Sequence, residues 1–372
     1  MRGGESDTLD NCGDFGVTLV NCVLLRRFIW GLAFAATLLL VAPFARCQQA
    51  PAGPLHPRPG AQPEQIPPAE QQKHAIRVRV NEVTAPVIVR NPQGEMVLDL
   101  KQDNFRVYDN GAEQEIDHFD VGGDPLSIVL VIEASSHIQP MFASIKHAGI
   151  VFSAAVMAQT SEAAVISYDS TVDLRAKFTT DPDLVQSTIE HLPLGVSDSL
   201  LYDAMARGIS MLEQRPAVRR RIMLVIGESH DSGSECRLGE VLREAQLGNV
   251  TIYSVGLSTA MADLRAKPEH VNDTPDLLAL AVFLVKTGKN VLGTNSLAVA
   301  SKATGGLHVA TMRDRSIEKA IDDIGGELHA QYTIGYRPVG EDPEGYHEIK
   351  VVVDRPNVSV RTRPGYYVAP PS

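Results

Sequence analysis

Two stretches decide the fold: Ile128-Val-Leu-Val-Ile132-Glu133-Ala-Ser135-Ser136-His137 and Ile222-Met-Leu-Val-Ile226-Gly227-Glu228-Ser229-His230-Asp231. Each is a short, wholly apolar run that stops on an acid and hydroxyls. A strand that is apolar on both faces is buried on both faces, the condition of a parallel sheet covered by helices. Helical patterns alternate with these runs. Met141, Ile145, Ala148, Phe152 and Ala155 recur at spacings of four and three, one face of a helix. Residues 184–189, 200–212 and 238–247 also read as helices, and 316–324 as a last one ended by Gly325-Gly326. Strands are expected at 163–168 and 172–178, close enough for a hairpin, and at 250–257 and 307–310. The stretch 258–306 reads as an elaborated crossover in which 277–285 is a helix covering the sheet. The expected class is α/β, a Rossmann-like, doubly wound, mostly parallel sheet.

On either side the texture is β. Ile76, Val78 and Val80 alternate with Arg77, Arg79 and Asn81, a period of two. Extended runs follow at 86–90, 97–100 and 105–108, with turns at Asn91-Pro-Gln-Gly94 and Asp109-Asn-Gly111. After Gly326, runs at 330–336, 346–353 and 358–361 are strands again. The two β segments are expected to pair into one small sandwich with the α/β domain inserted. Tyr332, Tyr336, Tyr346, Tyr366 and Tyr367 fit alternate strand faces as packing residues.

Arg26 and Arg27 precede an uncharged apolar stretch from Phe28 to Phe44, the pattern of an export signal, cleaved near Ala45 to Gln48 or retained as an anchor. Acids among residues 1–24 are foreign to such a leader, so the start of translation is expected further in. Residues 48–72 hold seven prolines and six glutamines, an extended tether. The organisation is 1–47 signal peptide or signal anchor, 48–74 linker, 75–123 β segment, 124–327 α/β domain and 328–369 β segment. The expected location is periplasmic, secreted or envelope-attached, with membrane attachment only through an uncleaved anchor.

The chain has 372 residues, 44% hydrophobic and 21% charged, with a net charge of −11. That balance argues against a broadly basic nucleic-acid binder. The four cysteines, Cys12, Cys22, Cys47 and Cys236, exclude a disulfide framework. If the leader is removed, Cys236 stands alone, expected buried or inert. The common nucleotide-binding, zinc-protease, esterase and thioredoxin motifs are absent.

In an open parallel sheet, ligands bind beyond the carboxyl ends of the strands, where strand order reverses. Glu133, Ser135, Ser136 and His137 lie at one such end, and Glu228, Ser229, His230 and Asp231 at another. Ser197-Asp198-Ser199 precedes the helix beginning Leu200-Leu-Tyr202-Asp203-Ala204. Acids and hydroxyls gathered there suit a hard cation. Asp203 reads as a helix brace, His230 and Asp231 as exposed loop residues, and Arg219-Arg220-Arg221 as a solvated edge. The adjacency of Ser135, Ser136 and His137 does not make a nucleophile and its base, so no catalytic residue is assigned and the chain is not read as an enzyme.

At these residues the sequence resembles the von Willebrand factor type A (VWFA) domain. The family's Asp-x-Ser-x-Ser appears as Glu133-x-Ser135-x-His137. Its Thr-x-Leu-Tyr-Asp-Ala appears as Ser199-Leu-Leu201-Tyr202-Asp203-Ala204, and its Ser/Thr-Asp-Gly as Gly227-Glu228-Ser229. Asp103-Asn-Phe105-Arg-Val-Tyr108-Asp-Asn-Gly111 and Gln331-Tyr332-Thr-Ile-Gly335-Tyr336-Arg-Pro338 resemble the bacterial exported "VWFA-related" family. The resemblance implies a Rossmann-like fold, placement outside the cytoplasm and protein or peptide binding. It also implies a metal-ion-dependent adhesion site at Glu133, Ser135, His137, Ser199 and Glu228, degenerate because glutamates replace aspartates and His137 replaces a serine. Three states stay open: a hard-ion site for Mg²⁺ or Mn²⁺; a softer Zn²⁺ site using His137 or His230; and a metal-free pocket. Ser136, Asp198, Ser229, His230 and Asp231 would line the partner surface. The alternatives are a scaffold for an envelope or secreted complex with a vestigial site, and a hydrolase using the strand-end acids.

Overall fold

The computed structural model describes residues 82–157, 160–257, 282, 284–285, 295–311, 314–339 and 344–368. The N-terminal alternation at 76–80, the leader, the tether and most of 277–285 lie outside them. In chain order the strands are β1 (Val83–Arg90), β2 (Phe105–Asp109), β3 (Ala112–Gln114), β4 (Ile116–Val121) and β5 (Leu126–Glu133). Helix α1 (Gln139–Ala155) leads to β6 (Glu162–Tyr168), β7 (Val172–Thr179), α2 (Pro182–Glu190), α3 (Leu201–Glu213), β8 (Arg220–Gly227), α4 (Leu238–Leu247) and β9 (Val250–Leu257). Then come α5 (Ser296–Thr304), β10 (His308–Thr311), α6 (Asp314–Ala330), β11 (Tyr332–Tyr336), β12 (Gly345–Val353), β13 (Ser359–Thr362) and β14 (Gly365–Val368).

The two apolar runs lie at the centre of a mixed α/β fold. A six-stranded sheet has the order β10-β9-β8-β5-β6-β7. All neighbours are parallel except β7, which turns back on β6. Along β5 the side chains divide by parity, as a strand requires. Ile128, Leu130 and Ile132 enter a core with Ile145 and Phe152 of α1 and Ile321 and Ile324 of α6. Val129 and Val131 enter a second core with Met205 and Ile209 of α3, Val241 and Leu242 of α4, and Val299 of α5. Each such large aliphatic side chain contributes about 1.5–3 kcal/mol on burial. The continuous apolar run is therefore the signature of a strand with helices on both faces.

Two four-stranded sheets, β13-β1-β11-β4 and β14-β12-β2-β3, join early strands to late ones. Val83 to Val87 of β1 pairs antiparallel with β11, and Phe105 to Asp109 of β2 with β12. Val83, Ala85 and Val87 of β1 join Phe105 and Val107 of β2, Tyr332, Ile334 and Tyr336 of β11, Ile349 of β12 and Tyr366 of β14 in one buried cluster. Tyr346 and Tyr367 pack instead against the α4 side of the large sheet.

Three expectations need correction. Residues 97–100 form no strand: Leu100 N donates to the Tyr332 hydroxyl, which donates to Val97 O, so a side chain replaces a ladder partner. Gly325-Gly326 does not end its helix, for α6 runs on to Ala330. A Cβ on Gly325 would sit 2.6 Å from Ala155 O, so this glycine serves the close crossing of α6 over α1. Arg219-Arg220-Arg221 is not a solvated edge. Arg219 Nε bonds Ser127 Oγ at 2.9 Å and lies 3.3 Å from Glu162, while Arg220 and Arg221 bind backbone carbonyls inside the body.

Candidate functional site

From β5 the chain passes through α1 to β6 on one side, while β8 lies on the other. The reversal of strand order therefore falls between the carboxyl ends of β5 and β8, where Glu133 and Glu228 emerge.

Glu133 is 1% exposed, and both its oxygens are engaged. Ser135 Oγ donates to Oε1 at 2.5 Å, and the Glu228 backbone N–H donates to Oε2 at 2.6 Å. Burial raises the carboxyl's pKa; the two hydrogen bonds pull it down, the Glu228 charge raises it further, and His137 lowers it. Tyr168 lies beside Glu133 in register, and its buried hydroxyl has no hydrogen-bond partner among the described residues. Burial, then the Glu133 charge, pushes that phenol well above its ordinary pKa.

The remaining residues are distributed around this pair. Ser135 is buried, Ser136 half-buried and His137 exposed on a short 3-10 turn (Ser136–Ile138). Ser199 is buried, but its Oγ donates to His230 O at 3.1 Å, and its backbone bridges to Ser232. Glu228 reaches Glu133 through its backbone N–H, and Ser229 O accepts from Ser296 Oγ at 2.6 Å. Asp198 and His230 are exposed. Asp231 is not simply an exposed loop residue. It accepts from Tyr202 N at 3.1 Å and Ser234 Oγ at 2.6 Å, which anchors the start of α3. Asp203 braces the 234–236 loop by accepting from Glu235 N and Cys236 N. Sequence reading gave no signal for Tyr168 or for the loop at 195–196, whose Gly195 N and Val196 O bond Ala134 and Ser136. Cys236 is half-buried, and burial first, then Asp203, pushes its thiol up to about 11.

As arranged, these residues do not fit a hard-cation site. Mg²⁺ requires near-octahedral oxygen donors. Here both Glu133 oxygens are committed, the Ser199 hydroxyl is turned to a carbonyl, and an imidazole on an exposed turn holds the third place of the motif. Among the described residues no three His, Cys, Asp or Glu side chains converge as a metal-holding group.

A folded pKa above the unfolded one means that the fold holds Glu133's proton more tightly. That contribution is complete below the unfolded pKa and is lost as pH rises through the folded one. Glu133→Gln keeps both hydrogen bonds, with the amide oxygen facing Glu228 N and the NH₂ facing Ser135. It is expected to raise Tm near neutral pH by about 2–4 °C, the effect of ~1 kcal/mol in a body of this size, and to make no difference in acid. Thermal melts of both proteins across pH check this; a constant offset at every pH would refute it.

No protein-family model matches the sequence, and no curated protein matches it. Among solved structures, the chain is similar to the conserved hypothetical protein BatB from Bacteroides thetaiotaomicron, at 12% identity over 55% of this chain and 98% of that one, TM-score 0.39. It is similar to the SpRpn10 VWA domain at 9% identity over 53% and 94%, TM-score 0.37. It is also similar to proximal thread matrix protein 1 from the mussel byssus, whose MIDAS motif is occupied by zinc, at 11% identity over 59% and 50%, TM-score 0.43. Identities this low transfer no residue's role to this chain.

Proposed function

We propose that this chain is an exported protein-binding module of the von Willebrand factor A type, carried by a β-sandwich into which the α/β domain is inserted. Its strand-end rim takes a basic peptide segment of the partner without a metal ion. The observation that carries this reading is the charge of the rim. The loops at 134–138, 169–171, 191–200 and 228–237 hold five acids, Asp169, Asp198, Glu228, Asp231 and Glu235, against one arginine, Arg237 at the start of α4, and no lysine. Asp198 is exposed, and Asp169, Glu228 and Asp231 are half-exposed. At the opposite ends of the same strands stand Arg215, Arg219, Arg220 and Arg221. A surface with an excess of one sign steers and selects a partner of the other. The carboxylate buried beneath the rim adds to the negative field whenever it is ionised.

The probes are a lysine-rich and a glutamate-rich peptide of equal length, titrated into the full chain by fluorescence anisotropy. The lysine-rich peptide is expected to bind, more weakly as salt rises. Asp198→Lys combined with Glu228→Lys is expected to cost about tenfold, ~1.4 kcal/mol. Binding of the acidic peptide alone, dependent on Mg²⁺ and lost in Glu133→Gln, would overturn this reading in favour of a working metal site. Capture that ignores the charge reversal would favour the scaffold role.

A further inference from the structure

The arginine cluster lies at the other end of the large sheet and plays no part in the rim. Where β8 begins, beside β1, β11 and the turn before β14, a small, partly open pocket of about 30 Å³ is lined in part by Arg220, Arg221, Arg363, Asn249 and Thr333. It shares Thr84, Arg220, Arg221, Asn249 and Thr333 with a wider groove of about 290 Å³, whose lining also includes His118, Asp124 and the exposed Val218.

The hydrogen bonds of these three guanidiniums go to neutral acceptors. Arg220 donates to Leu328 O and the Gln331 side-chain oxygen. Arg221 donates to Gly248 O at 2.8 Å, Arg215 O at 2.7 Å and Glu213 O at 3.2 Å. Arg363 donates to Asn249 Oδ1 at 2.9 Å. Among the described residues none of the three has an ion-pair partner. The charges of Asp124 and Asp120 act on Arg220 and that of Glu213 on Arg221 without forming an ion pair, and Asp109, whose charge acts on Arg363, is engaged by His347, Tyr336 and Tyr366. Four buried donors on residues that line the cavity lack any partner among the described residues: Arg221 Nε, Arg363 Nε and Nη2, and Thr333 Oγ1. Arg363 is only 4% exposed. Burial draws the Arg220 and Arg363 guanidiniums below their ordinary pKa.

Buried charges require counter-charge, and buried donors require acceptors. An oxyanion supplies both, and the planar guanidinium fork matches its oxygens. We propose that this cavity binds a small tetrahedral oxyanion, a phosphate or sulfate group, held by Arg220, Arg221 and Arg363 with Thr333 as a hydroxyl donor. The inner space admits about two water-sized groups, so two oxygens of the anion enter it while the remainder faces the groove. The groove leaves room for either the free ion or a phosphoryl group on a larger molecule. Arg220 and Arg221 belong to the large sheet, Thr333 to β11 and Arg363 to the segment between β13 and β14, so the anion would tie these sheets together.

The test is the thermal stability of the full chain against inorganic phosphate, sulfate and O-phosphoserine, with sodium chloride at matched ionic strength as control. Binding to the folded state alone raises Tm by mass action. The expected result is a saturable rise of several degrees with the oxyanions and none with chloride. O-phosphoserine acting at lower concentration than phosphate would assign the groove to an organic phosphate; phosphate acting at lower concentration would assign the site to the free ion. Arg221→Gln is expected to reduce the phosphate-dependent rise by half or more. Thr333→Val, nearly isosteric, is expected to fold and to weaken the response, and it carries the test if Arg221→Gln does not fold. A rise equal to that in sodium chloride, or a full response in Thr333→Val and in any folded Arg221→Gln, would overturn the proposal.

Discussion

Asp109→Ala is expected to lower the unfolding free energy by about 3–5 kcal/mol, the cost of breaking a buried charged network by removing one member. Asp109 is 5% exposed at the end of β2. His347 Nδ1 lies 2.9 Å from Oδ1, and the Tyr366 and Tyr336 hydroxyls donate to Oδ2 at 2.7 and 3.0 Å. One carboxylate from the early strands thus organises three side chains from the late ones. Burial first, and then the Asp109 charge, pushes the Tyr336 phenol far above its ordinary pKa, so it stays a proton donor. Alanine removes the acceptor from both phenols and the imidazole, each loss costing about 1–3 kcal/mol where no water replaces it. Asp109→Asn keeps the volume and one acceptor oxygen, and is expected to cost about half as much. Urea unfolding followed by fluorescence and circular dichroism measures both. A loss of under about 1 kcal/mol in the alanine variant would mean that the tyrosines find other partners.

What the sequence discloses here is whatever depends on period and burial. The runs at 128–132 and 222–226 announce strands because both faces meet helices. The α1 face is legible because Ile145, Ala148 and Phe152 all enter one core. What stays hidden depends on a distant partner. Residues 97–100 look like a strand, yet beyond Val97 N, which donates to Val89 O, their backbone turns to the Tyr332 hydroxyl through Val97 O and Leu100 N. Gly325-Gly326 looks like a stop, yet the space that Gly325 leaves is filled by Ala155 of α1. The arginine triplet looks solvated because nothing local reveals Glu162, Gly248 or Leu328 as acceptors. At the candidate site, the order of acids and hydroxyls places Glu133 and Glu228 at neighbouring strand ends. It does not tell that Ser199 bonds a carbonyl or that Asp231 anchors α3.

Gly227→Ala carries the other large effect, about 3 kcal/mol, the upper part of the range for overpacking a close-packed interior. Gly227 ends β8, and a Cβ there would run into the Tyr168 hydroxyl and lie 2.8 Å from Glu133 Oε2 and 2.9 Å from Glu133 Cβ. Neither neighbour can withdraw freely. Tyr168 is packed in the core that Val129 and Val131 share with α3 and α4, and Glu133 is held by Ser135 and Glu228 N. The variant therefore strains the floor of the rim as well as the fold. Tyr168→Phe separates the two contributions. Alone it removes a buried hydroxyl that has no partner among the described residues and is expected to be neutral or to stabilise by about 1 kcal/mol. Combined with Gly227→Ala it removes the shortest contact and leaves the two to Glu133. A double-mutant cycle by denaturant unfolding should then show a favourable coupling of about 1–2 kcal/mol. Additive effects would mean that the backbone, not the phenol, takes up the strain. A Gly227→Ala cost below about 1 kcal/mol would mean that the ends of β5 and β8 can separate, and the Glu228–Glu133 hydrogen bond would then not fix the geometry of the rim.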